Sequence, residues 1–230
     1  MRFYKDTRQI EYYLEKYNVL EMFEDPEKYR SCFLMAEIRK RENVDYAKVG
    51  DYLFFMLEGR LKVYSNLSNG KKLLLYFCRN FEIMGDLEFL QIKDHYVTVE
   101  AIQRTTCLVL DIHGKREQLL KDTAFLKALL YQVSEKLAKS SSNVAINMLW
   151  PVENRLSSYI RYLAQEDGKT GRRYFEENLT ETAEALGTSY RQLQRVLKFL
   201  CTKEILAKHN GRYEILDEQE LTALSGDIYM

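Results

Sequence analysis

The spacing of hydrophobic positions along the chain changes character several times, and each change predicts a different kind of element. Residues 1 to about 40 alternate short helical patterns with polar linkers, a preamble packed on the next segment of the chain. From about 44 to 112 the apolar positions gather into short segments rich in Val, Leu, Tyr and Phe. These are separated by Gly50-Asp51, Glu58-Gly59, Asn69-Gly70 and Gly85-Asp86, and turn signals at that spacing predict an antiparallel barrel or roll. Asn69-Gly70, between RLKVYSNL and KKLLLYF, is the clearest hairpin, because a type I′ turn needs φ > 0 at both central residues.

From about Thr123 to Met148 the pattern becomes helical, with no proline or glycine inside it. Leu126, Leu130, Val133, Leu137 and Val144 follow a heptad seam, and Ser140 and Asn147 fill its remaining positions. A helix this long with such a seam predicts pairing with a second copy of itself; the alternative is a lone helix lying on the barrel. The polar seam positions weaken a zipper but fix its register, or else they face a ligand.

Trp150-Pro151 ends that helix, since the residue before a proline is biased out of the α region. Pro151 then suits the first position of a helix over PVENRLSSYIRYLAQEDG, with Leu156, Ile160 and Leu163 on one face and Gly168 as its stop. After the basic and aromatic piece GRRYFEENL, Thr180 is the expected N-cap of a short helix, ETAEAL. Gly187 makes a turn, and Ser189 with Gln192 three residues on forms a capping box for the next helix. That helix buries Leu193, Val196, Leu197 and Leu200 at spacings of three and four, which leaves Tyr190, Arg191, Gln194, Arg195 and Lys198 on the opposite face. AKHNGRYEILD predicts a two-stranded wing turning at Asn210-Gly211. Helix, glycine turn, capped helix and hairpin together describe a winged helix-turn-helix, whose second helix enters the major groove of DNA.

Composition and charge narrow the function classes. At 230 residues, 46% of them hydrophobic, the chain buries a sizeable core in one large or two modest domains. Its formal charge balances to zero, yet from Gly187 to Tyr213 six cations (Arg191, Arg195, Lys198, Lys203, Lys208, Arg212) meet one acid, Glu204. A neutral protein with one basic face fits localised contact with an acidic polymer. No apolar run approaches the roughly twenty residues of a membrane span, and the first residues are too charged for a signal peptide, so no membrane role and a cytoplasmic location are expected. The four cysteines, Cys32, Cys78, Cys107 and Cys201, form no CxxC pair, which argues for reduced thiols rather than disulfides or zinc. A metal-dependent cupin enzyme is the contrasting class. It needs several histidines on one metal, and this chain has only His95, His113 and His209, with no phosphate loop, GxSxG elbow or paired His and nucleophile. No enzymatic activity is expected.

The order barrel, long helix, winged helix-turn-helix resembles the Crp/Fnr family of transcription regulators over almost the whole chain. LFFMLEGRLKVYSNLSNGKKLLLYF is similar to the family's second to fourth barrel strands, FEIMGDLEFL followed by VTVEAI to its effector cassette, and LTETAEALGTSYRQLQRVLKFLCTKEIL to its DNA-reading signature. KDHYVTVEAIQRTTCLVLD together with GTSYRQL resembles the YeiL-type branch. The resemblance implies an α+β chain: a cyclic-nucleotide-binding-like β-roll over 1–115, a dimerisation helix over 116–150 and a winged helix-turn-helix over 151–230. It also implies a homodimer on an inverted repeat in double-stranded DNA, contact with RNA polymerase, and base reading by Arg191, Gln194 and Arg195. Arginine suits guanine and glutamine adenine, while Tyr190 and Lys198 fall to the phosphate backbone and Ser189 joins the DNA-binding set.

The effector cassette departs from the pattern of cyclic-nucleotide members. Gly85-Asp86 stands where the family has Gly-Glu, and Tyr96-Val97, preceded by His95, stands where it has Arg-Ser. Without a guanidinium the cyclic phosphate lacks its bidentate partner, so cyclic AMP is not expected. Ser140 and Ser141 match the family's hydroxyl positions on the dimer helix, which leaves room for a different small-molecule effector. An iron-sulfur cluster of the oxygen-sensing branch needs four thiolates, and only Cys32 lies near the N-terminus. A haem ligand at His95 is the rarer reading beside a plain surface histidine. Within the same architecture the alternative is a constitutive DNA binder whose pocket is filled by its own aromatics, with Tyr52, Phe54, Phe55, Tyr64, Tyr76 and Phe77 as candidates.

Overall fold

The structure, a computed structural model, describes residues 1–44, 50–68, 70–78, 81–92, 97–168, 170–226 and 228. The chain divides into two compact units, Met1–Val63 with Phe77–Lys139, and Tyr64–Tyr76 with Ser140–Met230.

The first stretch of chain holds β1 (Arg2–Tyr4), α1 (Thr7–Lys16), a 3-10 turn at Val19–Met22, α2 (Glu27–Arg30), β2 (Phe33–Ile38) and β3 (Asn43–Val44). It continues through β4 (Tyr52–Glu58), β5 (Leu61–Asn66), β6 (Lys72–Cys78), β7 (Ile83–Met84), α3 (Asp86–Phe89), β8 (Val97–Ala101), β9 (Thr105–Asp111), α4 (Arg116–Leu119) and α5 (Thr123–Leu149). Two sheets form, in the orders β1-β2-β9-β4-β7 and β3-β8-β5-β6. Cross-strand partners share a face, so Met35, Leu108 and Phe55 lie on one side of the first sheet and Ala36, Cys107 and Met56 on the other. The first side is buried against the helices through Ile10, Leu14, Phe125 and Leu129. The second is buried as well, and Cys78 of β6 reaches Met84 of β7, Sγ to Sδ 4.0 Å, which turns the two sheets toward each other as in a roll.

The strands of the sheet therefore begin earlier than the turn signals from about residue 44 predict. What looked like a preamble supplies β1 and β2, and β2 sits between β1 and β9. FLMAEI buries residues on both faces, and a strand buried on both sides has no alternation to separate it from a helical segment. In the Asn69-Gly70 hairpin, Asn69 lies outside the described residues; Gly70 has φ +79°, and the Leu67 N–H donates to Lys71 O at 2.8 Å to close the turn.

Helix α5 opens on Asp122, whose carboxylate accepts the Phe125 N–H at 2.9 Å. Phe125 and Leu129 are buried in the core, with Leu126 packed against its edge. Farther along the seam Val133 is half-buried, while Leu130 and Leu137 are each 67% exposed and Val144 40%.

The remaining chain forms α6 (Val152–Leu163), β10 (Gln165–Glu166), β11 (Arg173–Phe175), α7 (Leu179–Ala185), α8 (Tyr190–Thr202), β12 (Leu206–His209), β13 (Arg212–Ile215) and α9 (Glu218–Ser225). Helix α6 packs on α8 and α9, and α8 on α7 and β12. The wing is larger than two strands, with the order β10-β11-β13-β12, and the basic aromatic piece contributes β11. Three sequence expectations shift here. Pro151 is the N-cap of α6 rather than its first residue, and the helix ends at Leu163 because Ala164 turns extended (ψ 136°) to feed β10. Gly168 therefore stops no helix and follows β10 instead. Asn178, not Thr180, caps α7, its side chain accepting from Thr180 N and Glu181 N at 2.9 and 3.2 Å. The wing turn is as expected, with Asn210 at φ 48° and Gly211 at φ 85°.

Burial pushes the Cys107 thiol up to about 12, and burial followed by the nearby Glu82 raises Cys78 well above the ordinary thiol range. Both stay protonated at neutral pH and are poor nucleophiles. Iodoacetamide at pH 8 should therefore label half-buried Cys32 in the native protein and leave Cys78 and Cys107 unmodified until denaturant is added. Peptide mass mapping checks this, and native labelling of Cys107 would contradict its burial in the sheet.

Candidate nucleic-acid interface

The presentation of α8 begins with how α7 ends. Gly187 at φ +58° lets its own N–H bond Glu184 O and the Thr188 N–H bond Ala183 O, both at 2.9 Å, which is Schellman closure. The Leu186 carbonyl just before the turn is taken by Arg155 Nη1; the same buried guanidinium donates to Trp150 O at 3.0 Å and approaches Asn147 Oδ1 at 3.4 Å. A buried cation is tolerable when it is spread over several acceptors in this way. Ser189 then caps α8, its Oγ accepting the Gln192 N–H at 3.2 Å. The capping box is half formed, because the Gln192 side chain accepts from Thr188 Oγ1 at 3.2 Å.

Leu193, Val196, Leu197 and Leu200 are buried, and Ser189, Tyr190, Arg191, Gln194, Arg195 and Lys198 are exposed, as the helical period predicts. Within the exposed set, Gln194 Nε2 donates to the Tyr190 hydroxyl at 2.8 Å. Arg191, Gln194, Arg195 and Lys198 also line a groove of about 610 Å³, together with Leu197 and Cys201 of the chain around α8 and Lys208 and Tyr213 of the wing. Among the described residues, four cations and no acid line this groove. Lys208 and Tyr213 are register partners on β12 and β13, and the ammonium lies 5.8 Å from the ring centre. Burial raises both the Tyr213 hydroxyl and the Cys201 thiol, and Lys208 opposes the shift at Cys201.

Sequence reasoning counted Lys208 only as charge and missed Tyr213. The signal was present in the wing, where two residues in register across a hairpin share one face. Arg212, counted with the basic face, is turned away from it: its guanidinium stacks on Tyr174 at 4.0 Å and approaches Asp167 at 3.7 Å.

The expected effector residues are distributed differently. Gly85 at φ +93° passes so close to β4 that a Cβ on it would meet Tyr52 O at 2.7 Å, which explains the glycine. Asp86 is buried and its carboxylate takes Lys136 Nζ of α5 at 2.7 Å, while one turn on, Lys139 pairs with Glu82. Neither lysine was singled out in the sequence, although their i, i+3 spacing puts both on one face. Val97 opens β8, half-buried; His95 and Tyr96 lie outside the described residues. On α5, Ser140 is half-buried and Ser141 exposed. Among the described residues no group of His, Cys, Asp and Glu forms a metal site, and no helix is long and apolar enough to cross a membrane.

Comparison with known proteins adds to this geometry. Residues 46–122 match the family described as the cyclic nucleotide-binding domain. The regulatory protein YeiL of Escherichia coli O157:H7 is 34% identical over 175 residues, covering 76% of this chain and 77% of that protein. A CRP/FNR-family transcriptional regulator from Thermus thermophilus superposes with a TM-score of 0.65 at 18% identity, over 84% of this chain and 98% of that one. A second regulator of the CRP family from the same organism gives 0.64 at 17% identity, over 85% and 98%. These structures share the fold.

Replacing Arg155 by Met keeps an unbranched apolar stem but leaves the Leu186 and Trp150 carbonyls without their guanidinium donor. Hydrogen bonds to a charged group contribute roughly 1.5 to 3 kcal/mol, so Arg155→Met should lower unfolding free energy by about that amount in denaturant titration. An unchanged midpoint would mean the guanidinium is dispensable to the helix-turn-helix.

Proposed function

The chain belongs to the Crp/Fnr family of transcriptional regulators, and from that premise we propose that it acts as a cytoplasmic homodimer that binds an inverted repeat in double-stranded DNA through α8. The family is one of regulators, not of enzymes. The chain is organised as a sensing roll over 1–115, a dimerisation helix over 116–150 and a winged helix-turn-helix over 151–230. One observation carries the reading: α8 buries its apolar stripe and holds Arg191, Gln194, Arg195 and Lys198 outward in a groove with no acid among the described residues of its walls. Arg191 and Arg195 fit the O6 and N7 acceptors of guanine, and Gln194 the donor and acceptor of adenine. Ser189, Tyr190 and Lys198 take phosphates, the first two at the start of the helix where the dipole favours an anion.

Dimerisation rests on the exposed seam of α5. Leu130, Leu137 and Val144 stand at heptad spacing and are exposed among the described residues, and a second copy supplies complementary side chains at the same spacing. Two-fold symmetry then puts the half-sites roughly 34 Å apart, and the bound dimer contacts RNA polymerase. A small molecule held by the roll near Gly85, Asp86 and Val97 shifts the population of dimers able to engage both half-sites. The missing guanidinium argues against cyclic AMP as that molecule.

A second reading, a constitutive binder with a self-filled sensor, is favoured by two observations. The Asp86 carboxylate is already engaged by Lys136, and Phe54, Tyr64, Tyr76 and Phe77 are all buried. Selection of duplexes from a random pool at moderate salt separates the two. An inverted repeat recovered without ligand supports the constitutive form, and one recovered only after adding metabolites or oxidants supports effector control. No enrichment under any of these conditions would overturn DNA reading altogether.

Arg195→Ala should relax discrimination at one base position by roughly 1 to 3 kcal/mol. Lys198→Ala should weaken all sequences alike and lower the salt slope by about one unit. Binding assays across base-substituted sites and salt concentrations check both, and an unchanged preferred sequence in Arg195→Ala removes it from base reading. The double substitution Leu130→Glu with Leu137→Glu should yield monomers in sedimentation; dimers that persist would place the seam elsewhere.

A further inference from the structure

Two glutamines lie in the first two turns of α8, and they are held in opposite ways. Gln192 is tied back to the turn, its backbone N–H on Ser189 Oγ and its side-chain oxygen on Thr188 Oγ1, and it does not line the groove. Gln194 lines the groove, and its amide nitrogen is held by the Tyr190 hydroxyl at 2.8 Å. Tyr190 is the first residue of α8, 45% exposed, one turn before Gln194 on the same face.

Counting donors and acceptors shows what this pair retains. The amide nitrogen of glutamine carries two hydrogens, and the tyrosine oxygen accepts one of them. The other N–H and the Oε1 acceptor remain, which is the combination that matches N7 and the N6 amino group of adenine. The phenolic hydrogen is also left over, because the hydroxyl acts here as an acceptor, and it is available to a phosphate oxygen. Fixing the amide before contact removes rotamer freedom that would otherwise be lost on binding.

We propose that Tyr190 is a positioning residue for base recognition: one hydroxyl bridges a DNA phosphate to Gln194 and sets that glutamine's amide to select adenine. This rests on DNA binding through α8 and adds to it a coupling between backbone contact and sequence choice. A tyrosine that touched phosphate alone would raise affinity for every sequence equally. A tyrosine that also orients Gln194 changes the ranking of bases at one position.

The test is a double-mutant cycle on the full chain. Binding to the selected operator and to its single-base variants is measured at fixed salt for the unsubstituted protein, Tyr190→Phe, Gln194→Ala and the double variant. Circular dichroism confirms that the exposed Tyr190→Phe substitution leaves the fold intact. The expected result is that Gln194→Ala abolishes preference for adenine at one position. Tyr190→Phe should cut that preference roughly three- to tenfold, the scale of one neutral hydrogen bond, and leave the guanine positions unchanged. In the Gln194→Ala background the tyrosine substitution should no longer alter base ranking. Equal weakening for all four bases, or the same change in ranking with and without Gln194, overturns the positioning role. An unsubstituted protein that prefers no sequence overturns the DNA-binding reading beneath it, a result distinct from either.

Discussion

Burial of Leu193, Val196, Leu197 and Leu200 is the constraint on which the C-terminal unit's function depends. Each such side chain contributes roughly 1.5 to 3 kcal/mol when removed from water. A rotation of α8 that hid its other face would lose that contribution and desolvate Arg191 and Arg195, at a further cost of several kcal/mol for each unpaired cation. The orientation of α8 is therefore strongly determined, and every polar side chain on it inherits a direction. Ser189 sets where the helix begins and Arg155 holds the carbonyl that precedes the turn, so the exposed face is fixed at its start as well.

The first unit uses a different device. Its core is apolar on both faces of the first sheet, and apolar packing alone leaves a helix free to slide along its own ridges. Asp86–Lys136 and Glu82–Lys139 add charged contacts between α5 and the chain around β7, and such pairs contribute little net stability. They also occupy the acid that the family resemblance assigns to ligand, so any effector at Asp86 has to compete with an ammonium already in place.

Legibility in the sequence followed the length and period of each element. Helices α5 and α8 carry a 3.6-residue period over more than three turns, and the wing turns on Asn210-Gly211, where the backbone demands left-handed residues; all three stand out from the sequence. Strand β2 does not, because burial on both faces erases alternation, and β10 with two residues has no pattern to find. The cap at Asn178 was displaced to Thr180 because both residues are good caps two positions apart, and only the backbone φ and ψ distinguish them. Of the candidate interface, the α8 residues follow from periodicity. Lys208 and Tyr213 needed the strand register, and the Tyr190–Gln194 bond needed rotamers, which no spacing rule specifies.

The hairpin between β5 and β6 bears on how a roll and a reading head belong to one chain. Residues Tyr64–Tyr76 group with the second unit, although both strands continue into the first. Leu75 O accepts from Asn143 Nδ2 of α5 at 2.5 Å, and the Leu73 side chain lies 3.6 Å from where a Cβ on Gly187 would stand. Buried Asn143 thus gives that strand a polar contact with α5. The glycine at 187 answers the left-handed turn that ends α7, since a Cβ there would meet Leu73 only at ordinary van der Waals distance.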